Sequence, residues 1–183
     1  MIPEVDAAPL ERTMSVAHAN LLALLWLPVA GAMVYFPFSA RWGPAPLADA
    51  FAIPLIRSLP AVAAGILVHE LCHAAGFRLA GRAPRSAVRI GLNRRTLTPF
   101  ASCSAPVTAA SYRIATLLPA VALGLMPAAL AVLIGSGPLA VWAFVMLALA
   151  GGDVALLWTI RSVPARALVV DHPSRVGCTV VRR

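Results

Sequence analysis

The sequence carries little charge and no lysine. All 15 of its basic residues are arginine, against seven acidic residues, and 60% of its 183 positions are hydrophobic. With a mean hydropathy of +0.84, a soluble domain of this length would leave too much apolar surface in water. The composition therefore excludes an ordinary soluble domain and predicts a protein that lies in a lipid bilayer.

Cysteine is also scarce. Cys72, Cys103 and Cys178 are odd in number and widely spaced, which argues against a disulfide framework. The topology predicted below puts all three toward the reducing side of the membrane. On a helix, Cys72 would point about 100° away from its neighbour His73, so we interpret it as a small buried residue rather than as a ligand.

Long stretches with few formal charges predict four transmembrane helices in one domain, residues 1–183. Each has about the 20 residues that a bilayer requires, and the predicted spans are 14–38, 59–77, 114–135 and 139–160. A polar tail of about fourteen residues precedes the first span. Segment 43–58 is rich in proline and could be an outer loop with a short interfacial or re-entrant segment; its role is left open.

The arginines predict the orientation. Seven arginines and no acid lie in the loop 78–113, and five arginines with one acid lie in the tail 161–183. Loops rich in arginine stay on the cytoplasmic side, beside anionic lipid. We therefore expect a multi-pass cell-membrane protein with cytoplasmic N- and C-termini, and no nucleic-acid partner.

One part of the basic loop has a strand pattern. Residues 87–92 and 96–100 are largely apolar and flank the turn sequence Asn93-Arg94-Arg95, which favours a β-hairpin. The predicted fold class is therefore an all-α membrane protein with four transmembrane helices and a small interfacial β-hairpin between spans two and three.

The second span contains the motif His69-Glu70-Leu71-Cys72-His73. Two histidines four residues apart share one face of a helix and can bind one metal ion, and the glutamate beside them can take a proton from water. A span that only anchors a protein has no use for these polar groups. The motif predicts a zinc site with His69 and His73 as ligands and Glu70 as the catalytic general base.

Asp153 is the best candidate for a third ligand. An ionised side chain at mid-bilayer costs about 2.5–3.5 kcal/mol, and only Glu70 and Asp153 among the seven acids lie well inside apolar spans. His69 and Asp153 precede the cytoplasmic ends of their spans by roughly 13 Å and 12 Å of helix, so they lie at one depth. The alternative is that Asp153 pairs with an arginine, such as Arg57 or Arg113.

Other polar residues have weaker claims. Asp171 and His172 could fold back onto the metal, but a proline-flanked tail more often stays in water. His18 is expected at the membrane interface. Gly151 and Gly152, just before Asp153, would allow either close helix packing or a close approach of substrate.

The expected function is a membrane-embedded zinc metalloendopeptidase that hydrolyses a membrane protein or peptide within or beside the bilayer, with zinc-activated water as nucleophile and Glu70 as base. The alternative is a non-catalytic metal-binding membrane protein: a sensor, a transporter or an inactive protease relative. Spans one and three have almost none of the polar residues that a transport path needs. The oligomeric state is left open.

The order of the motifs resembles a known family. HELCH, then VRIGL and PFASC in the basic stretch, YRIATLLPA, GGD in the last span and ALVVDHPSRVG in the tail resemble the putative zincin peptidases, a family labelled a domain of unknown function. The layout is more distantly similar to site-2 proteases. The resemblance implies that His69, His73 and Asp153 bind zinc, that Glu70 is the base, and that the strand pair lies near the active site. Site-2 proteases carry a Leu-Asp-Gly motif, whereas here glycines precede Asp153 and Val154 follows it.

Overall fold

The computed structural model describes residues 10–53, 55–93 and 98–181. Helices dominate these residues, and strands lie at both ends of the chain and in the loop after the second long helix. In chain order the elements are β1 (Leu10–Met14), α1 (Val16–Trp42), α2 (Ala45–Phe51), α3 (Leu55–Leu79), β2 (Val88–Asn93), β3 (Thr98–Cys103), β4 (Val107–Thr108), α4 (Ala109–Pro119), α5 (Met126–Ile134), α6 (Gly137–Leu149), α7 (Gly151–Thr159), β5 (Leu168–Asp171) and β6 (Val176–Val181).

Four helical spans in the described residues are long and apolar enough to cross a membrane. They are α1, α3, the run from α4 to α5, and the run from α6 to α7. A π-helical segment, Ala120–Leu125, joins α4 to α5 and lies between Pro119 and Pro127. The four spans confirm the sequence prediction and identify the chain as a membrane protein.

The outer surfaces of the spans are apolar. Leu24, Phe36, Ile56 and Met126 are between 60% and 70% exposed, although burying a large side chain of this kind gains about 1.5–3 kcal/mol in water. In a bilayer these side chains contact lipid instead of water, so their exposure does not cost this free energy. The exposed residues therefore mark surfaces that face acyl chains.

Small residues hold the spans together. The core between α1, α5 and α6 consists largely of alanine, and Ala30, Ala131, Ala140 and Ala143 are fully buried. In lipid no hydrophobic effect drives helices together, so close backbone approach and dispersion must do so. Trp26 adds a polar contact, because its Nε1–H donates to the Leu147 carbonyl at 2.7 Å.

The predicted fold class is confirmed only in part, because the described residues are mostly helical but contain six strands rather than the two of one hairpin. Four of them form an antiparallel sheet in the order β1-β6-β5-β4, in which β1, β5 and β6 come from the two segments that the sequence analysis treated as tails and β4 comes from the loop before α4. The runs Leu168–Asp171 and Val176–Val181 are rich in valine, which favours strands. Val169 and Cys178 are fully buried, so the sheet has a core of its own.

The expected hairpin is present as a second sheet. β2 and β3 pair antiparallel, with Ile90 opposite Ala101 and Leu92 opposite Pro99. The predicted turn at Arg94 and Arg95 lies outside the described residues. The position of this sheet relative to the membrane interface stays a prediction.

Segment 43–58 contains the short helix α2, which packs on α6. Leu47 and Ala50 are buried there, and a Cβ on Gly137 would lie 2.0 Å from the Pro46 carbonyl oxygen. Glycine at 137 therefore permits backbone contact between α2 and the start of α6, and the segment is a packed helix rather than a free loop.

Candidate metal centre

His69 and His73 lie one turn apart on the inward face of α3. Their side chains are buried, with 7% and 9% of the residue surface exposed. The ring centroids are 4.8 Å apart and the planes are nearly perpendicular, at 79°. The spacing of four residues therefore puts both imidazoles in one place, as the helical period requires.

Asp153 reaches the histidines from the first turn of α7. One carboxylate oxygen lies 3.0 Å from His69 Nε2, and the other lies 3.2 Å from His73 Nε2. The two helices thus bring Asp153 to the depth of the histidines, where the sequence analysis expected it. Its role as a zinc ligand stays a prediction.

A break in the fourth span sets the direction of Asp153. The span is not one helix as predicted: α6 ends at Leu149 and α7 begins at Gly151. A Cβ on Gly151 would lie 2.9 Å from the Ala23 Cα, so glycine lets α1 pack against the break. Asp153 then lies in the first turn of α7, where the positive end of the helix dipole favours a carboxylate.

α4 orients the His73 ring. Nδ1 of His73 lies 3.0 Å from the Ala115 carbonyl oxygen, and because a carbonyl can only accept, Nδ1 carries the proton of this hydrogen bond, which leaves Nε2, facing Asp153, as the nitrogen that could bind a metal ion. This contact needs a very close helix pair: a Cβ on Gly76 would lie 2.5 Å from the Ala115 Cα. Gly76 is therefore part of what positions the ring.

Glu70 faces a cavity of about 390 Å³, which His69, His73 and Asp153 also line. The Ala101 backbone N–H, on β3, donates a hydrogen bond to its carboxylate. Pro99 and Phe100 of the same strand line the cavity as well. The strand pair is therefore next to the candidate site.

Three further polar residues line the cavity, Tyr112, Thr116 and Asp171, and the sequence analysis did not assign them to it. The Tyr112 hydroxyl donates to Asp171, and the Cys103 backbone N–H donates to the other Asp171 oxygen at 2.5 Å. Burial raises the pKa of Asp171 above its usual range, and these two hydrogen bonds oppose that rise. The expectation that the tail would stay in water is wrong for Asp171, because β5 brings it to the cavity.

Comparison with known families is decisive for the class of protein. The family model described as putative zincin peptidase matches residues 62–168, which is more than half of the chain. The chain belongs to the putative zincin peptidase family. No curated protein and no solved structure matches it.

The match of this zincin-family protein includes His69, Glu70, His73 and Asp153, and it ends before Asp171. The distant likeness to site-2 proteases stays a prediction. The Gly-Gly-Asp-Val order at residues 151–154 departs from the motif of those enzymes.

The donor set fits zinc. Two imidazole nitrogens and one carboxylate oxygen, with room for one more ligand, are typical of catalytic zinc. The three ligand atoms lie within 4.8 Å of one another, while tetrahedral zinc with bonds of about 2.0–2.1 Å needs separations of roughly 3.4 Å. The 3.0 Å and 3.2 Å distances from the histidines run to different oxygens of Asp153, so with one carboxylate oxygen as ligand the three atoms would have to close from within 4.8 Å to roughly 3.4 Å.

The remaining candidates lie elsewhere. Arg113 does not pair with Asp153; it donates to the carbonyls of Ile160 at 2.7 Å and Val163 at 2.5 Å, at the end of α7. His172 lies 3.7 Å from Glu11. Among the described residues, Cys72 is outside the group that could hold a metal and is partly exposed rather than buried.

Proposed function

We propose that this zincin-family protein is a zinc-dependent endopeptidase that cuts a membrane protein or peptide within or beside the bilayer. The observation that carries the proposal is the convergence of His69 Nε2 and His73 Nε2 on the Asp153 carboxylate, at 3.0 Å and 3.2 Å, in the cavity that Glu70 faces. A metal store or a structural site would have no need for a carboxylate that faces the same cavity without belonging to the ligand group.

His69, His73 and Asp153 would hold the zinc ion. Bound zinc supplies Lewis acidity, which makes water a competent nucleophile near neutral pH and polarises a carbonyl. The Ala115 carbonyl keeps the proton of His73 on Nδ1, so that Nε2 is available as a ligand. The Nε2 atom of His69 would also bind zinc. No carbonyl holds the His69 ring in the way that Ala115 holds His73, since Nδ1 of His69 has no hydrogen-bond partner in the described part of the chain.

Glu70 is the proposed general base. Its carboxylate accepts from the Ala101 N–H, and further lone pairs of the carboxylate are left for a water molecule. In the proposed reaction Glu70 takes a proton from water as the oxygen attacks the peptide carbonyl, and it then gives that proton to the leaving amine. One residue thus serves as base and then as acid.

β3 offers a surface for the substrate backbone. A transmembrane helix has no free backbone groups and must unwind before it is cut, and an extended peptide can be held along a strand. Pro99, Phe100 and Ala101 line the cavity next to Glu70. We therefore expect the peptide to pass beside these residues with its cleaved bond above the histidines.

The proposed orientation has both termini in the cytoplasm. Exposed arginines support it: Arg78 ends α3 on the side where the basic loop begins, and Arg161 follows α7 on the same side. Protease protection of tags at the two ends, in sealed inside-out and right-side-out vesicles, tests this orientation; tags on opposite sides would contradict it.

The substitution Glu70→Gln tests the function. It removes the base but none of the proposed ligands, so hydrolysis of fluorescein-labelled casein by purified protein in detergent should be lost while one zinc per chain is kept. Asp153→Ala should lower the zinc content instead. The control is Glu11→Gln, which removes a carboxylate outside the cavity and should leave both unchanged.

Proteolysis that survives Glu70→Gln would refute the proposed mechanism. A wild-type protein that binds zinc but hydrolyses nothing would favour a non-catalytic sensor or an inactive protease relative.

A further inference from the structure

Asp171 joins two elements that both contact the candidate site. One of its oxygens accepts from the Tyr112 hydroxyl on α4, and the other accepts from the Cys103 N–H on β3. We call this set of contacts the Asp171 bridge. Asp171 is at the end of β5, beyond the matched residues 62–168, so neither the family match nor the proposed function assigns it a role.

The first arm of the Asp171 bridge reaches His73. Tyr112 precedes Ala115 by three residues, so the two share one face of α4. The Ala115 carbonyl is the group that accepts from His73 Nδ1. Tyr112 is only 2% exposed, and its ring packs edge-on against Phe77 at 5.5 Å. Holding the Tyr112 hydroxyl therefore holds the turn of α4 that sets the direction of the His73 ring.

The second arm reaches Glu70. Alternate N–H groups of a strand point to the same edge, and the N–H groups of Ala101 and Cys103 both point away from β2. Ala101 donates to Glu70 and Cys103 donates to Asp171. On the edge of β3 that faces away from β2, Asp171 therefore holds the Cys103 amide. The Ala101 amide, two residues earlier on the same edge, holds Glu70, the proposed base.

Asp171 can act as a fixed point because its own strand is held. It lies opposite Cys178 in β6, and β6 pairs in turn with β1. A partly buried carboxylate contributes little to stability by itself, since burying its charge costs free energy that its hydrogen bonds must offset.

We propose that Asp171 is a positioning residue that fixes Glu70 and His73 relative to each other, through β3 and α4. This inference rests on the proposed function for its catalytic consequence. Its structural consequence, that β3 depends on Asp171 for its position, does not require activity.

The test is Asp171→Ala, which removes both acceptors, because in asparagine the oxygen could still accept from Cys103 while the NH2 group donated to the Tyr112 hydroxyl oxygen. The loss of both arms should lower kcat on fluorescein-labelled casein, per zinc-bound molecule, by about 10- to 100-fold, as removal of groups that orient metal ligands usually does. KM and the zinc content at saturating zinc should stay near wild type, whereas general unfolding would lower both the zinc content and the folded fraction.

The second readout needs neither substrate nor metal. Cys103 is 1% exposed, and its amide is the one that Asp171 holds. Asp171→Ala should therefore speed alkylation of Cys103 by N-ethylmaleimide, located by peptide mass spectrometry, while Cys72 on α3 reacts at its wild-type rate. Tyr112→Phe breaks only the α4 arm, so kcat should fall without faster alkylation of Cys103, and it serves as the second variant if Asp171→Ala does not fold.

Glu11→Ala is the matched control, because Glu11 is another carboxylate of the same sheet and lies outside the cavity. Wild-type kcat in Asp171→Ala would overturn the positioning role while leaving the proposed function intact. Unchanged alkylation of Cys103 would overturn it as well. If Glu70→Gln kept full activity, the proposed function would fall, and alkylation together with zinc affinity would decide the role of Asp171.

Discussion

Gly76→Ala tests whether close packing of α3 on α4 sets the His73 ring. The added Cβ would lie 2.5 Å from the Ala115 Cα and 2.8 Å from its Cβ, whereas carbon atoms pack at about 3.5–4.0 Å. The two helices must therefore move apart by roughly 1 Å. The hydrogen bond from His73 Nδ1 to the Ala115 carbonyl, now 3.0 Å, would then exceed the range in which such bonds form.

The magnitude follows from three contributions. Alanine gains about 1 kcal/mol over glycine inside a helix, but overpacking costs about 1–3 kcal/mol. A buried donor or acceptor left without its partner costs about 1–3 kcal/mol more. We expect a net loss of stability of about 1–5 kcal/mol, and a zinc affinity about 10- to 100-fold lower because the ligand loses the group that orients it.

Thermal unfolding in detergent and zinc competition with a chromophoric chelator measure the two effects. Gly31→Ala is the matched control, since a Cβ there meets Phe144 at an ordinary 3.7 Å. It should leave zinc affinity unchanged and cost no stability. Wild-type zinc affinity in Gly76→Ala would refute the argument that this helix contact positions His73.

Two further predictions concern the end of α7 and the sheet. Arg113→Gln should destabilise the protein by about 1.5–3 kcal/mol per charged hydrogen bond lost, because Arg113 donates to carbonyls at the end of α7; thermal unfolding measures this, with exposed Arg78→Gln as the comparison. Burial raises the pKa of Cys178 from 9.0 to about 11, so between these values the folded state binds more protons than the unfolded state. The free energy of unfolding should therefore fall as pH rises from about 9 to about 11. Denaturant titrations over this range should show a smaller fall for Cys178→Ser, and an equal fall in the variant would contradict the assignment of the effect to Cys178.

The histidine pair and its depth could be predicted because a helix has a constant rise and period. His69 and His73 share a face by their spacing alone. The match in depth with Asp153 needed only the distances to the arginines that end each span, at Arg78 and Arg161. The break before Asp153 was not predicted, although Gly151 and Gly152 were its signal, since paired glycines are equally common at simple helix contacts.

The four-stranded sheet could not be predicted from local pattern. The pairing of β1 with β6 joins Leu10 to Val180, far apart along the chain, and each strand has at most six residues. Short valine-rich runs next to prolines and arginines look like tails when no partner strand is visible. For the same reason Asp171 was expected in water, because only the pairing of β5 with β6 brings it to the cavity.

Charge balance explains why these acids can lie within apolar helices. Each ionised group at mid-bilayer costs about 2.5–3.5 kcal/mol, and Glu70 and Asp153 together carry two negative charges, while among the described residues that line the cavity the only basic side chains are His69 and His73. One zinc ion held by His69, His73 and Asp153 would bring two positive charges, which would offset the charges of Glu70 and Asp153. The charge of Asp171, which also lines the cavity, is stabilised by the Tyr112 hydroxyl and the Cys103 amide instead. The three carboxylates of the site therefore depend on different partners: zinc would offset two of the charges, and hydrogen bonds stabilise the third. Removal of the metal and removal of the Asp171 bridge should for this reason perturb different parts of the fold.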